Sequence, residues 1–228
     1  MPDQSAAPPP SDRTRVQRVP ERGVYDPQTI HDILDEALVV HVAFPLDRSG
    51  GAPAVIPTAC WRMGDQLLFH GASSSRTLKA LRQGAPCCAT VTLLDGIVLA
   101  RAGFHHSMNY RSVVVYGQAS ELTDDDEILA ALHAFTEKLA PGRWQALRPP
   151  TPQELKATAV FALPLSEASA KVRSGPPIDD EADYDLPVWA GVVPLFLAAG
   201  DPIADPRYTG PEKIAPVHAF HLGRESAP

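Results

Sequence analysis

The chain has 228 residues, a net charge of -7, and 44% hydrophobic against 21% charged residues. That length is enough for a large hydrophobic core in one or two domains, and the composition is globular rather than disordered. The acidic balance argues against a general nucleic-acid-binding surface and leaves room for a local cationic pocket.

Residues 1–20, rich in proline, serine and charge, read as a disordered leader with no apolar targeting stretch. No apolar run approaches the ~20 residues of a membrane span; the longest, Val188–Ala199, carries Gly191 and Pro194. The cysteines Cys60, Cys87 and Cys88 include no CxxC pair. They read as buried reduced thiols, not as a disulfide framework or a zinc site. A cytoplasmic protein with no membrane partner is expected.

Asp26-Pro27 opens a helix, as an N-cap followed by a proline at the first helical position. Ile30, Ile33, Leu34, Ala37 and Leu38 keep helical spacing. The helix feeds a strand at Val39–Phe44. Asp47–Pro53 is a loop, and Ala54–Met63 and Gln66–His70 form a hairpin across Gly64-Asp65. Ser74–Gln83 reads as a short helix stopped by Gly84 and Pro86. Cys87–Leu94 and Ile97–Arg101 are expected to form a second hairpin across Asp95-Gly96, a favoured type I′ pair.

Tyr110–Leu122 is a long strand whose Gly117 marks a bulge or a close approach. Thr123 is placed to cap a helix that begins with four acidic residues and buries Ile128, Leu132, Phe135 and Leu139. Thr151–Ala157 is a short helix, and Thr158–Pro164 a final strand. After Lys171 the chain is irregular and proline-rich. Hairpins dominate, so the fold expected is mainly β (α+β): an antiparallel split β-barrel with flanking helices over 21–165 and an extended wrapping tail over 166–228.

Two clusters carry chemistry. In Val55–Gln83, Ser73, Ser74 and Ser75 lie at a helix start, where free backbone N–H groups favour an anion. Arg76 and Lys79 share one face of that helix, opposite Leu78 and Leu81. The segment fits a phosphate cradle; it also fits an ordinary capped surface helix. His70 ends the preceding strand beside Gly71 and Ala72, where a ligand can approach the backbone; a hydrogen-bonded strand-end histidine fits equally. The second cluster sets Ser107, Asn109, Tyr110, Arg111 and Ser112 close together. His105 and His106 diverge if they lie on a strand, and no metal is expected there or at His218-x-x-His221.

The pieces PAVIPTACWRMGDQLLFHGASSSRTLKALR and NYRSVVVYGQASELTDDDEILAAL, in this order, resemble the FMN-binding split barrel of the pyridoxamine-phosphate-oxidase-like superfamily. The tail SEASAKVRSGPPIDDEADYDLPVWAGVVPL is similar to its flavin-nucleotide-binding branch, which includes nitroimidazole-resistance reductases. The resemblance implies FMN in a groove between the two chains of a homodimer. Val55, Ile56, Pro57 and Thr58 would lie along the flavin, bordered by His70 and Gly71. Arg76 would bind the phosphate beside Ser74 and Thr77, with Lys79 as the second cation where the oxidases carry Arg-Lys. The oxidases' Arg-Gln-Val appears here as Arg111-Ser112-Val113, which loses an amide that contacts the flavin; Asn109, Tyr110, Arg111 and Ser112 would lie against the cofactor, and Trp189 would cover the site from the tail. Residues for a second phosphate, which vitamin B6 oxidation needs, are not recognisable.

The leading expectation is an FMN-dependent oxidoreductase on a small organic substrate, with His70 as proton donor. A flavin carrier without turnover is one alternative. Another is a haem-binding protein, with His41, His70, His105 or His106 as axial ligand.

Overall fold

The computed structural model describes residues 7–46 and 52–210. Most of the loop at 47–53 and the pair His218 and His221 lie outside them. A 3-10 turn at Pro20–Arg22 leads into β1 (Gly23–Val24) and α1 (Pro27–Glu36). Asp26 caps α1, its carboxylate accepting from the Thr29 N–H at 2.9 Å. Ile30, Ile33 and Leu34 form the buried stripe that the spacing requires. β2 (Val39–Pro45) alternates exposed and buried positions. β3 (Pro53–Met63) and β4 (Gln66–Ala72) form the expected hairpin, with Gly64 at φ +54°. α2 spans only Arg76–Arg82, two residues later than expected, with Ser75 at its N-cap.

The next segment differs from its reading. β5 is one strand, Pro86–Leu99, and Asp95-Gly96 is a bulge within it, not a hairpin turn. Both halves of β5 pair with β6 (Ser107–Gln118): Leu94 lies opposite Tyr110 and Gly96 opposite Asn109, so Asp95 is the extra residue. β6 is followed by β7 (Ser120–Glu121) and α3 (Asp125–Leu139). Asp124, not Thr123, caps α3; it accepts from the N–H groups of Asp126 and Glu127. α4 (Pro152–Ala157) carries a reciprocal capping box between Thr151 and Glu154. β8 (Thr158–Pro164) is not the last strand, because β9 (Ala168–Arg173) and β10 (Gly191–Pro194) follow it.

Among the described residues the strands make one antiparallel sheet in the order β1-β9-β6-β5-β2-β3-β4-β8-β7, with β10 added to β5. The ladder does not close. The chain itself crosses the split: β6 lies mid-sheet, and β7, one residue further on, pairs with β8 at the far edge. Gly117 is neither a bulge nor a site of close backbone approach: it pairs regularly with Cys87, and a Cβ there would meet only the Leu163 side chain, Cδ1 at 2.9 Å. Residues 7–20 run along the body: Thr14 is buried, Arg13 pairs with Glu167, and Lys171 donates to the Arg18 carbonyl. None of the described helices is long and apolar enough to cross a membrane.

Two apolar clusters flank the sheet. The larger joins α1, Leu78 and Leu81 of α2, and the inner side chains of β2, β5, β6 and β9. The smaller packs Ile128 and Ala131 of α3 on Trp61, Leu68, Val160 and Ala162. Lys138 joins the two. Its ammonium donates to the carbonyls of Leu34 (3.1 Å), Ala37 (2.5 Å) and Cys60 (3.1 Å), tying α3 to the end of α1 and to β3. Burial pushes its pKa below the ordinary lysine value. Lys138→Met keeps the stem but takes the ammonium donor from the Leu34 and Cys60 carbonyls and leaves the Ala37 carbonyl with only the weak Cys60 thiol at 3.6 Å. A loss of about 2–4 kcal/mol is expected, read from urea unfolding with an unchanged m-value.

Candidate functional site

The sheet opens between β3 and β4. Their ladder runs from Met63↔Gln66 to Cys60↔Phe69 and stops. Beyond it, Pro53–Ala59 pairs only with β2, while His70, Gly71 and Ala72 pair with β8. Thr58 Oγ1 spans the opening, donating to the His70 carbonyl at 2.9 Å. Ile56 packs on the core, while Val55 and Pro57 are exposed. Gly71 leaves room for the Leu78 side chain: a Cβ there would meet Leu78 Cδ1 at 2.8 Å, so that side chain would have to shift.

Arg76 and Thr77 begin α2 just past this opening; Ser74 and Lys79 are exposed. Two of the backbone donors expected to face an anion are taken. The Ser73 N–H donates to the Ala157 carbonyl at 2.8 Å, and the Ser75 N–H to the Ala72 carbonyl at 2.9 Å.

His70 packs as an aromatic. Its ring centroid lies 5.7 Å from Trp61 and 5.0 Å from Phe135. Nδ1 is buried with no hydrogen-bond partner. Burial lowers the pKa, which keeps the imidazole neutral near pH 7. This is neither the hydrogen-bonded strand-end histidine nor a freely exposed one.

The second cluster does not join the first within one chain. β5 and β2 stand between β6 and β3, a separation of about 14 Å at the usual strand spacing. Arg111 is held by two carboxylates: Nε and Nη2 reach Asp95 at 2.9 and 2.8 Å, and Nη1 and Nη2 reach Glu36 at 2.5 and 2.8 Å. Both raise its pKa. Asn109 is buried, donating to the Gly175 carbonyl at 3.1 Å and accepting from Arg173. Tyr110 lies between Leu94 and Arg173 in the ladder, and Ser112 Oγ donates to the Lys171 carbonyl at 3.3 Å. These polar groups tie β6 to α1, β9 and the start of the tail. Trp189 is 65% exposed, its ring against Gly191 at the start of β10.

The sequence profile of the family described as pyridoxamine 5'-phosphate oxidase matches residues 26–172. The chain belongs to that family. A search of curated proteins finds no match. Among solved structures, the flavocytochrome Anf3 from Azotobacter vinelandii is 42% identical, with 94% of this chain and 99% of that one covered and a TM-score of 0.85. A FAD and heme binding protein from Mycobacterium smegmatis is 35% identical, over 86% of this chain and 95% of that one, with a TM-score of 0.81. A candidate 5-nitroimidazole antibiotic resistance protein from Bacteroides thetaiotaomicron shares the fold at 21% identity, over 66% and 86% of the two chains, with a TM-score of 0.55.

In this member of the pyridoxamine 5'-phosphate oxidase family, several neighbours of the expected site residues are not among the sequence candidates. Phe135 was visible only as a helix-stripe residue, and Trp61 only as part of a strand. Glu36 and Asp95 neutralise Arg111 across long sequence separations that no local spacing reports. Among the described residues, no group of three or more His, Cys, Asp or Glu is placed to hold a metal ion.

The lowered pKa of His70 links stability to pH. The unfolded chain takes up the proton at the ordinary histidine pKa of about 6.5, before the folded chain does. Stability from this group is therefore full above that value and declines as pH falls toward the folded pKa. Urea midpoints of the wild type should drop between pH 7 and pH 5, and His70→Phe should flatten that part of the profile.

Proposed function

We propose that this protein is a redox protein that binds a flavin and a haem and works as a homodimer. The observation that carries this reading is similarity over nearly the whole chain to two proteins, one called a flavocytochrome and the other FAD and heme binding. The flavin exchanges one or two electrons and the haem iron one. The protein would supply their positions and the surrounding electrostatics.

The β3–β4 opening fits the flavin. It offers a strand edge with exposed Val55 and Pro57, bordered by Gly71, and the first residues of α2 follow directly. Lys79 is exposed on that helix and would hold phosphate together with Arg76, as the family resemblance implies. The resemblance implies FMN. The FAD named for the mycobacterial protein supports the dinucleotide, and FAD is the form we infer.

Pairing of two chains would bring the Asn109–Ser112 region of one against the opening of the other, which one chain holds about 14 Å away. Exposed Val39, Val55 and Leu94 supply apolar area for such a contact. The free cysteines, Cys60 and Cys87 buried, support a reducing, cytoplasmic compartment.

The reading expects purified protein with flavin bands in the blue and near ultraviolet and a sharp Soret band, FAD as the released flavin by mass, and a dimer in sedimentation at micromolar concentration. Bleaching of the flavin by NADH or NADPH supports an oxidoreductase; its absence with every donor supports a carrier. A colourless monomer that takes up neither group on reconstitution sinks the proposal. His70→Gln with full flavin and unchanged turnover removes the proton-donor role of His70.

A further inference from the structure

The His106 ring is anchored through one of its two nitrogens. The residue follows a 3-10 turn at Gly103–His105, and its Nδ1 lies 3.0 Å from the Ala102 carbonyl. A carbonyl only accepts, so Nδ1 carries the proton and Nε2 presents its lone pair. The side chain is exposed. A carbonyl anchoring the second ring nitrogen is the usual support of a metal-bound imidazole.

The other three histidines considered as axial ligands differ. His70 is packed against Trp61 and Phe135 with Nδ1 buried. His105 Nε2 stands 3.4 Å from the Asp180 carboxylate. His41 is exposed in the middle of β2, and its side chain makes no hydrogen bond among the described residues.

His106 also borders an apolar shelf. Its backbone is extended (φ -60°, ψ 140°) and it lies two residues before Met108, so the two side chains share a face. Met108 pairs with Ile97, and Ile97 with Val193, and all three are exposed. One step along the same face, Leu99 pairs with Gly191. Gly191 admits the Trp189 ring, which comes within 2.9 Å of where a Cβ would stand. The shelf is three strands wide, about 10 Å.

We propose that His106 binds the haem iron through Nε2, with the apolar surface of the porphyrin against Met108, Ile97, Val193 and Trp189. The proposal rests on the flavin-and-haem reading and names the residue that holds the second cofactor.

The probe is ferric haem titrated into purified full-length protein, read by Soret position, spin state and flavin absorbance. Wild type should give a histidine-ligated spectrum. His106→Ala should bind haem at least about tenfold more weakly or change spin state. Added imidazole should restore the wild-type spectrum, with flavin content unchanged. His105→Ala and His41→Ala should match wild type. Met108→Glu, which keeps the ligand, should weaken haem binding without changing the ligation signature.

A wild-type Soret band that His106→Ala leaves untouched overturns this assignment alone. A wild type that takes up no haem overturns both the assignment and the haem half of the proposed function. If Met108→Glu splits a dimer while haem binding stays intact, the shelf is a contact between two copies and the assignment fails.

Discussion

The ammonium group of Lys138 holds the architecture around the opening. It gathers the carbonyls of Leu34 and Ala37 at the end of α1 and that of Cys60 on β3. Helix ends leave such carbonyls without partners, and a buried one left unsatisfied is expensive. The same lysine fixes α3 across the sheet. Phe135 lies three residues earlier on that helix, on a neighbouring position of its surface. The packing of Phe135 on His70 and Trp61 therefore depends on where Lys138 anchors the helix.

Around this anchor the sheet departs from regularity twice. At Cys60↔Phe69 two strands part, and Thr58 bridges the gap with a single hydroxyl. At Asp95 an extra residue swings a carboxylate onto Arg111, which also binds the last residue of α1. The backbone carbonyl of Asp95 accepts from the Leu195 N–H at 3.1 Å, so one bulge touches both the first long helix and the tail. The exposed edge of β3 and the apolar shelf on β6, β5 and β10 thus lie on opposite sides of β2.

Local chemistry was legible where its partners are local. Asp26 with Pro27 declares a helix start and forms as read; the short helix expected from Thr151 also forms, opened by a Thr151–Glu154 capping box. Asp95-Gly96 has equally good local chemistry and misleads, because a hairpin turn and a bulge draw on the same residues. Only the neighbouring strand decides between them, and β6 spans both halves. The barrel order and the family were readable from three segments in sequence. The arrangement around the site was not: His70 meets Phe135, and Arg111 meets Glu36, through tertiary packing that no spacing encodes. The serine-rich helix start was open to two readings, and the Ser73 and Ser75 donors prove to be engaged by backbone.

The bulge at Asp95 also divides β5 into two reading frames. Before it the odd positions Cys87, Ala89 and Val91 are buried; after it the even positions Gly96, Val98 and Ala100 are. Across the ladder β6 keeps one frame, with Asn109, Val113 and Val115 buried throughout. Substitution at residue 95 would loosen Arg111 yet preserve this phase. Loss or gain of one residue there would exchange inside and outside for everything that follows on the strand, turning Ile97 into the core and Val98 into water. Chain length at this point is thus a tighter constraint than residue identity, and related sequences should vary there by exchange far more readily than by insertion or deletion.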